Sequence, residues 1–127
     1  MRGVGSVALR AMALGWLMCS PAFGQSARAI VDGWFNSQQR MNAAGQQEYV
    51  HYKWNDVSNS GFFLFGQVFR GFGAATDTLY SAPTLAKLKD AQIYIIVSPD
   101  IPAKNPHPHY LQPEDAQQVA EWVKAGG

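Results

Sequence analysis

The sequence predicts an α/β domain in which helices cover both faces of a parallel sheet. Two observations carry this reading. Strand-like and helix-like segments alternate along the chain, and such alternation calls for parallel strands joined by right-handed crossovers. The clearest strand, Gln92 to Val97, runs apolar from Ile93 onward without alternation, the pattern of a strand covered on both faces.

A segment that is not part of the fold comes first. Arg2 and Arg10 give a positive start, Ala11 to Met18 form a short apolar core, and Ser20 and Pro21 break it. Ala22-Phe23-Gly24 places small residues at the −3 and −1 positions of a cleavage site before Gln25. A membrane span needs about 20 apolar residues, and the stretch after Arg10 is far shorter. Cys19 lacks the small preceding residue of a lipidated cysteine, since Trp16-Leu17-Met18 stands before it. Residues 1–24 therefore read as a signal peptide, with export to the periplasm or the exterior and no membrane attachment after cleavage.

Removing those 24 residues from the 127 leaves 103, with eight Lys and Arg against nine Asp and Glu, a net charge of −1 with histidine neutral. No basic patch remains to recruit nucleic acid. The only cysteine, Cys19, leaves with the signal, so neither a disulfide nor a cysteine nucleophile belongs to residues 25–127.

In the domain, Ile30 to Phe35 reads as a first strand, followed by a long polar and aromatic loop, Asn36 to Val57. Ser58-Asn59-Ser60-Gly61 supplies side chains that cap a helix start. Phe62, Phe65, Phe69 and Phe72 then recur at helical spacing beside Leu64 and Val68, a stripe expected to press onto the sheet as core. Gly73 stands where a left-handed residue ends a helix. Thr76 to Leu79 is the second strand, and Pro83 to Ala91 a short amphipathic turn or helix with Leu85 and Leu88 inward. After the third strand, Pro99, Pro102, Pro106 and Pro108 keep the chain irregular. Pro113, Glu114 and Asp115 suit a helix start. Ala116, Val119, Ala120, Trp122 and Val123 are its expected buried face, Lys124 lies near its end, and Gly126-Gly127 closes it.

The last helix has no following strand. The order reads as the front half of a flavodoxin-like domain, stopping after the third strand and its helix, with a core that is marginal alone.

In a sheet of order 2-1-3-4-5, ligands bind beyond the carboxyl ends of the strands where the order reverses. Here that crevice lies between the first and third strands, where the loops Asn36 to Val57 and Ser98 to Leu111 meet. Both exceed the roughly 2–6 residues usual in α/β connections, and long ordered loops tend to be functional. The first carries Gln38, Gln39, Arg40, Glu48, His51, Lys53, Trp54, Asn55 and Asp56; the second carries Asp100, Lys104, Asn105, His107 and His109. Polar groups mixed with aromatic rings suit a carbohydrate, whose hydroxyls take hydrogen bonds and whose ring faces stack. They equally suit tying loop backbone down. His51, Trp54, Asp56, Asn59, Asp100 and His109 are the leading ligand-binding candidates, and Asp100, directly after the third strand, should open its carboxylate onto the crevice. His107-Pro108-His109 has the look of a weak metal-ligand pair that His51, Asp56 or Asp100 would have to complete. Asn59-Ser60-Gly61 at a helix start would suit an anion. There is no Ser-His-Asp order, nucleophile elbow or glycine-rich phosphate loop, so catalytic residues stay unidentified and no cofactor is expected.

Several segments taken together resemble a known family: His51-Tyr52-Lys53-Trp54-Asn55-Asp56, Asn59-Ser60-Gly61-Phe62, Asp77-Thr78-Leu79, Ala82-Pro83-Thr84 and Tyr94 through Pro102. As a set, covering about Ile30 to Gly127, they resemble the class I glutamine-amidotransferase-like domain found in bacterial proteins described as unsaturated glucuronyl or rhamnogalacturonyl hydrolases. The resemblance implies a flavodoxin-like sheet that would continue into a fourth strand. A nucleophile elbow, where such domains have one, would follow a later strand, and the helical barrel of the hydrolases has no counterpart here. It implies an exported accessory or ligand-binding domain in the breakdown of uronate-containing polysaccharides, non-catalytic as it stands, with a neighbouring glycoside hydrolase domain or protein as partner. Two alternatives stay open: part of a glycoside hydrolase whose catalytic residues lie elsewhere, or an inactive truncated product.

Overall fold

A computed structural model of the chain describes residues 26–127, so the expected signal segment lies outside the described residues. Ala29, Ile30 and Val31 are fully buried within strand β1 (Arg28–Asp32), the centre of a three-stranded parallel sheet. Strand β4 (Ala75–Leu79) pairs along one side of it in the register Ile30↔Asp77, and strand β5 (Ile93–Ile95) along the other in the register Ile30↔Tyr94. The order β4-β1-β5 is the second-first-third arrangement read from the alternation. The first strand ends sooner than expected, at Asp32 rather than Phe35. The Asp32 carboxylate accepts the Phe35 N–H at 2.8 Å, which turns the chain out of the sheet.

The segment read as one long loop contains a hairpin. Strands β2 (Gln39–Met41) and β3 (Gln47–Tyr49) pair antiparallel, with Arg40 bonded to Glu48 at 2.9 Å. Its turn is built by Asn42, whose side-chain oxygen accepts from the N–H groups of Ala44 and Gln46, and by Gly45, whose φ of 74° lies in the left-handed region.

Helix α1 spans Phe63–Gly71, and its expected side-chain cap is overturned. No side chain caps it; the Phe62 and Phe63 N–H groups bond instead to the carbonyls of Lys53 and Asp56. Gly61 makes that approach possible, because a Cβ there would stand 1.9 Å from the Asp56 carbonyl oxygen. The phenylalanine stripe is corrected as well. Leu64 and Phe72 are 77% and 87% exposed, and the one buried residue of α1 is Gly66. The Trp54 indole lies over Gly66 and fills the inner side of the helix, meeting the rings of Phe62, Phe65 and Phe69 at centroid distances of 5.8, 6.1 and 6.0 Å. Beyond the helix, Gly73 has the left-handed φ, 79°, read from the sequence.

The short helix α2 (Leu85–Leu88) starts on Thr84, whose hydroxyl accepts the Lys87 N–H at 3.3 Å. Leu88 is fully buried with Ile30, Ala91 and Trp122 in the main core. Helix α3 (Pro113–Lys124) begins with the Asp115 carboxylate accepting the Gln112 N–H at 3.0 Å. Trp122 is buried and donates its indole N–H to the Ala91 carbonyl at 3.1 Å. Only part of the expected inner face of α3 is covered: Val119 and Trp122 pack inward, whereas Ala116, Ala120 and Val123 are exposed. The reason is that α3 leans on α2, with the Gln118 side chain accepting the Leu85 N–H at 2.9 Å, so its opposite apolar side meets nothing among the described residues. Strand β5 pairs with β1 alone and forms an edge of the sheet among the described residues. Ile93 and Ile96 reach the surface, against the expectation of a strand covered on both faces.

Candidate functional site

The loops after β1 and β5 meet beyond the carboxyl ends of those strands, where the Asp100 N–H bonds to the Phe35 carbonyl at 2.8 Å. Asp100 is the fastening. Its carboxylate accepts from the Ser37 N–H at 2.9 Å, from the Asn105 side-chain amide at 2.7 Å and from that of Asn36 at 3.3 Å. It lines the crevice between the loops yet is only 6% exposed, because its carboxylate is taken up by these three donors. Three polar donors hold its charge inside the wall, which is how a buried carboxylate is tolerated.

A cavity of about 460 Å³ lies against this fastening, lined by Asn36 and Gln38, by His51, Tyr52 and Ser60, and by Ser98 to Ile101 with Lys104. Three non-glycine residues with positive φ occur among the described residues: His51 at 65°, Tyr52 at 48° and Ser98 at 26°. All three line this one cavity. Left-handed backbone costs a non-glycine residue about 1–2 kcal/mol, so it persists only where its surroundings hold it. Here the Tyr52 N–H bonds to the Ser60 carbonyl at 2.7 Å and the His51 Nδ1 meets the Ser60 hydroxyl at 2.8 Å, closing the loop between them.

A second cavity, about 340 Å³, adjoins it and takes in Tyr49, Asn105, His107 and His109; Lys104 lines both. His109 stacks on Trp34 with ring centroids 3.4 Å apart. Its Nδ1 lies 2.8 Å from the Trp34 carbonyl, which can only accept, so Nδ1 carries the proton. Ser37, whose hydroxyl lies 3.3 Å from the same nitrogen, therefore has no base in His109. No carboxylate bonds to His51 or His109 among the described residues, so neither histidine sits in a triad.

The sequence candidates are thus divided. His51 and Asp100 share the first cavity, and His107 and His109 share the second. Asp56 lies beside His51 in a smaller space of about 110 Å³ with Lys53 and Arg40. The Ser58 N–H bonds to the Asp56 carboxylate at 2.8 Å and, with the Ser58 hydroxyl, holds its pKa below the ordinary aspartate value. Trp54 belongs to the aromatic cluster under α1, and Asn59 is exposed and lines neither large cavity. At Asn59-Ser60-Gly61, where an anion site was expected, the N–H groups of Gly61 and of the following Phe62 and Phe63 are bonded to backbone carbonyls. No group of three or more His, Cys, Asp or Glu side chains that could hold a metal ion occurs among the described residues, so nothing completes the His107–His109 pair.

Sequence reasoning passed over Asn36, Tyr52 and Ser98 as site residues, and also Asp32. That carboxylate, 2% exposed at the end of β1, accepts the Tyr94 hydroxyl at 2.6 Å. Burial raises the pKa of Asp32, and burial together with the Asp32 carboxylate raises that of Tyr94. A lone acid closing an apolar strand, Ala29-Ile30-Val31-Asp32, was the signal for it.

Compared with protein-family models, curated proteins and solved structures, the chain matches none. The site therefore stands on its own geometry.

Proposed function

We propose that the chain is an exported carbohydrate-binding domain of flavodoxin-like, amidotransferase-like design that serves the breakdown of uronate-containing polysaccharides beside a glycoside hydrolase, and that it is itself non-catalytic. The observation that carries this reading is the gathering of His51, Tyr52 and Ser98, each with left-handed backbone, around one polar cavity at the switch point of the sheet. Stored backbone strain clusters at ligand clamps and functional loops. The walls offer the side-chain amides of Asn36 and Gln38, serine hydroxyls and the Tyr52 ring, groups suited to sugar hydroxyls and sugar faces. Neither the His51–Ser60 contact in this cavity nor the His109–Ser37 contact in the second is backed by a carboxylate, which favours binding over nucleophilic catalysis.

The order β4-β1-β5 supports the flavodoxin-like design, and the open edge of β5 is where a further parallel strand would pair. Calorimetric titration of the exported protein with galacturonate oligomers tests the proposal, with saturable heat expected. Mass spectrometry of the same material should find Gln25 at the amino terminus. Absence of binding to any uronate oligomer, or activity against them by the protein alone, would sink the functional reading.

A further inference from the structure

Lys104 lies at the junction of the two cavities and lines both. A tight turn places it there, with the N–H groups of Lys104 and Asn105 both bonded to the Ile101 carbonyl, at 2.9 and 3.0 Å. Asn105 is in turn held by Asp100, so the turn is anchored to the fastening under the crevice. The ion pairs among the described residues are Arg28 with Asp77 and Arg40 with Glu48, and neither includes Lys104. The carboxylate in the same wall, Asp100, is committed to three neutral donors. One negative charge is therefore sealed in the wall, and one positive charge stands uncommitted at the junction.

We propose that the two cavities form one extended groove for an acidic oligosaccharide, with Lys104 seating a carboxylate of the ligand between a sugar unit in the first cavity and another in the second. This rests on the carbohydrate reading and adds to it a minimum ligand length of two units and the residue that reads the ligand's charge. Tyr52 in the first cavity and Tyr49 in the second supply one aromatic ring to each unit. An ammonium is a point charge on a flexible stem, suited to a carboxylate whose position varies along a polymer.

The test is calorimetric titration of the exported protein and its Lys104→Gln and Lys104→Arg variants with trigalacturonate, with its fully methyl-esterified form and with galacturonate monomer. Lys104 is exposed, so neither substitution touches the core. The wild type should bind the acid trimer about tenfold more tightly than the ester, the scale of one charge-assisted contact. Lys104→Gln should lose that preference while keeping its affinity for the ester, Lys104→Arg should keep it, and the monomer should bind more weakly than the trimer. Equal binding of acid and ester by the wild type, a preference that survives Lys104→Gln, or a monomer as tight as the trimer overturns the inference and leaves the carbohydrate reading standing. Failure of both trimers to bind overturns both.

Discussion

The Trp54 indole donates its N–H to the Asp77 carbonyl at 2.7 Å, and that bond ties the loop after β3 to the edge strand β4. The same ring carries the aromatic contacts under α1, so the wall holding His51 and Tyr52 rests on it indirectly. Truncating such a tryptophan costs about 3 kcal/mol, whereas Trp54→Phe keeps an aromatic ring there and loses chiefly the hydrogen bond, about 1 kcal/mol. Urea unfolding of the two variants should show that ranking. Equal and negligible losses would mean that the loop is held by other means.

Gly61 is a second point of fixation. An alanine Cβ there would meet the Asp56 carbonyl oxygen at 1.9 Å, and backbone cannot swing aside as a flexible side chain does. Gly61→Ala should cost about 1–3 kcal/mol through forced displacement of the loop. Gly71→Ala, where nothing lies within 4 Å of the added carbon, is the matched control. If the two variants unfold at the same denaturant concentration, the close approach of Gly61 to Asp56 is wrong.

Much of the sheet was legible in the sequence because its signals were local. The strands read over Ile30 to Phe35 and Gln92 to Val97 overlap the shorter β1 and β5, and the turn at Gly73 and the acidic first turn of α3 correspond to the structure. The hairpin was not legible: Gln39-Arg40-Met41 and Gln47-Glu48-Tyr49 lack the alternation that marks a half-buried strand, and none of their residues is buried. Periodicity also misled at α1. Helical spacing put the phenylalanines on one stripe, but a glycine on that helix let a tryptophan from a distant loop take the inner side. Topology alone placed the two loops at the carboxyl ends of the strands, and with them His51, Asp100 and His109 near the cavities. Which of them face the cavity depended on hydrogen bonds between residues some 60 positions apart, such as Ser37 to Asp100, which no local pattern encodes.

The Asp32–Tyr94 bond gives stability a pH dependence of definite sign. In the unfolded chain tyrosine loses its proton near 10, while in the folded chain burial and the Asp32 carboxylate hold it on Tyr94 well above that. From about pH 10 upward the folded state binds the extra proton, so stability is whole below that range and falls as pH rises through it. The raised pKa of Asp32 has the same sign at the acid end: its contribution is whole below 3.8 and is lost as pH rises through the raised value. Tyr94→Phe should be less stable than wild type at neutral pH yet lose stability less steeply above pH 10. Parallel alkaline slopes for the two proteins would contradict the placement of the Tyr94 hydroxyl.

A ligand bound in the crevice touches a small set of backbone amides first. Backbone amide shifts of the protein, followed during titration with trigalacturonate, would report this residue by residue. Shifts should concentrate at His51, Tyr52, Ser98 and Lys104 around the crevice, and α1 and α3 should remain still. Shifts confined to Leu64–Phe72 or to Ala116–Val123, with the crevice unmoved, would contradict the placement of the site.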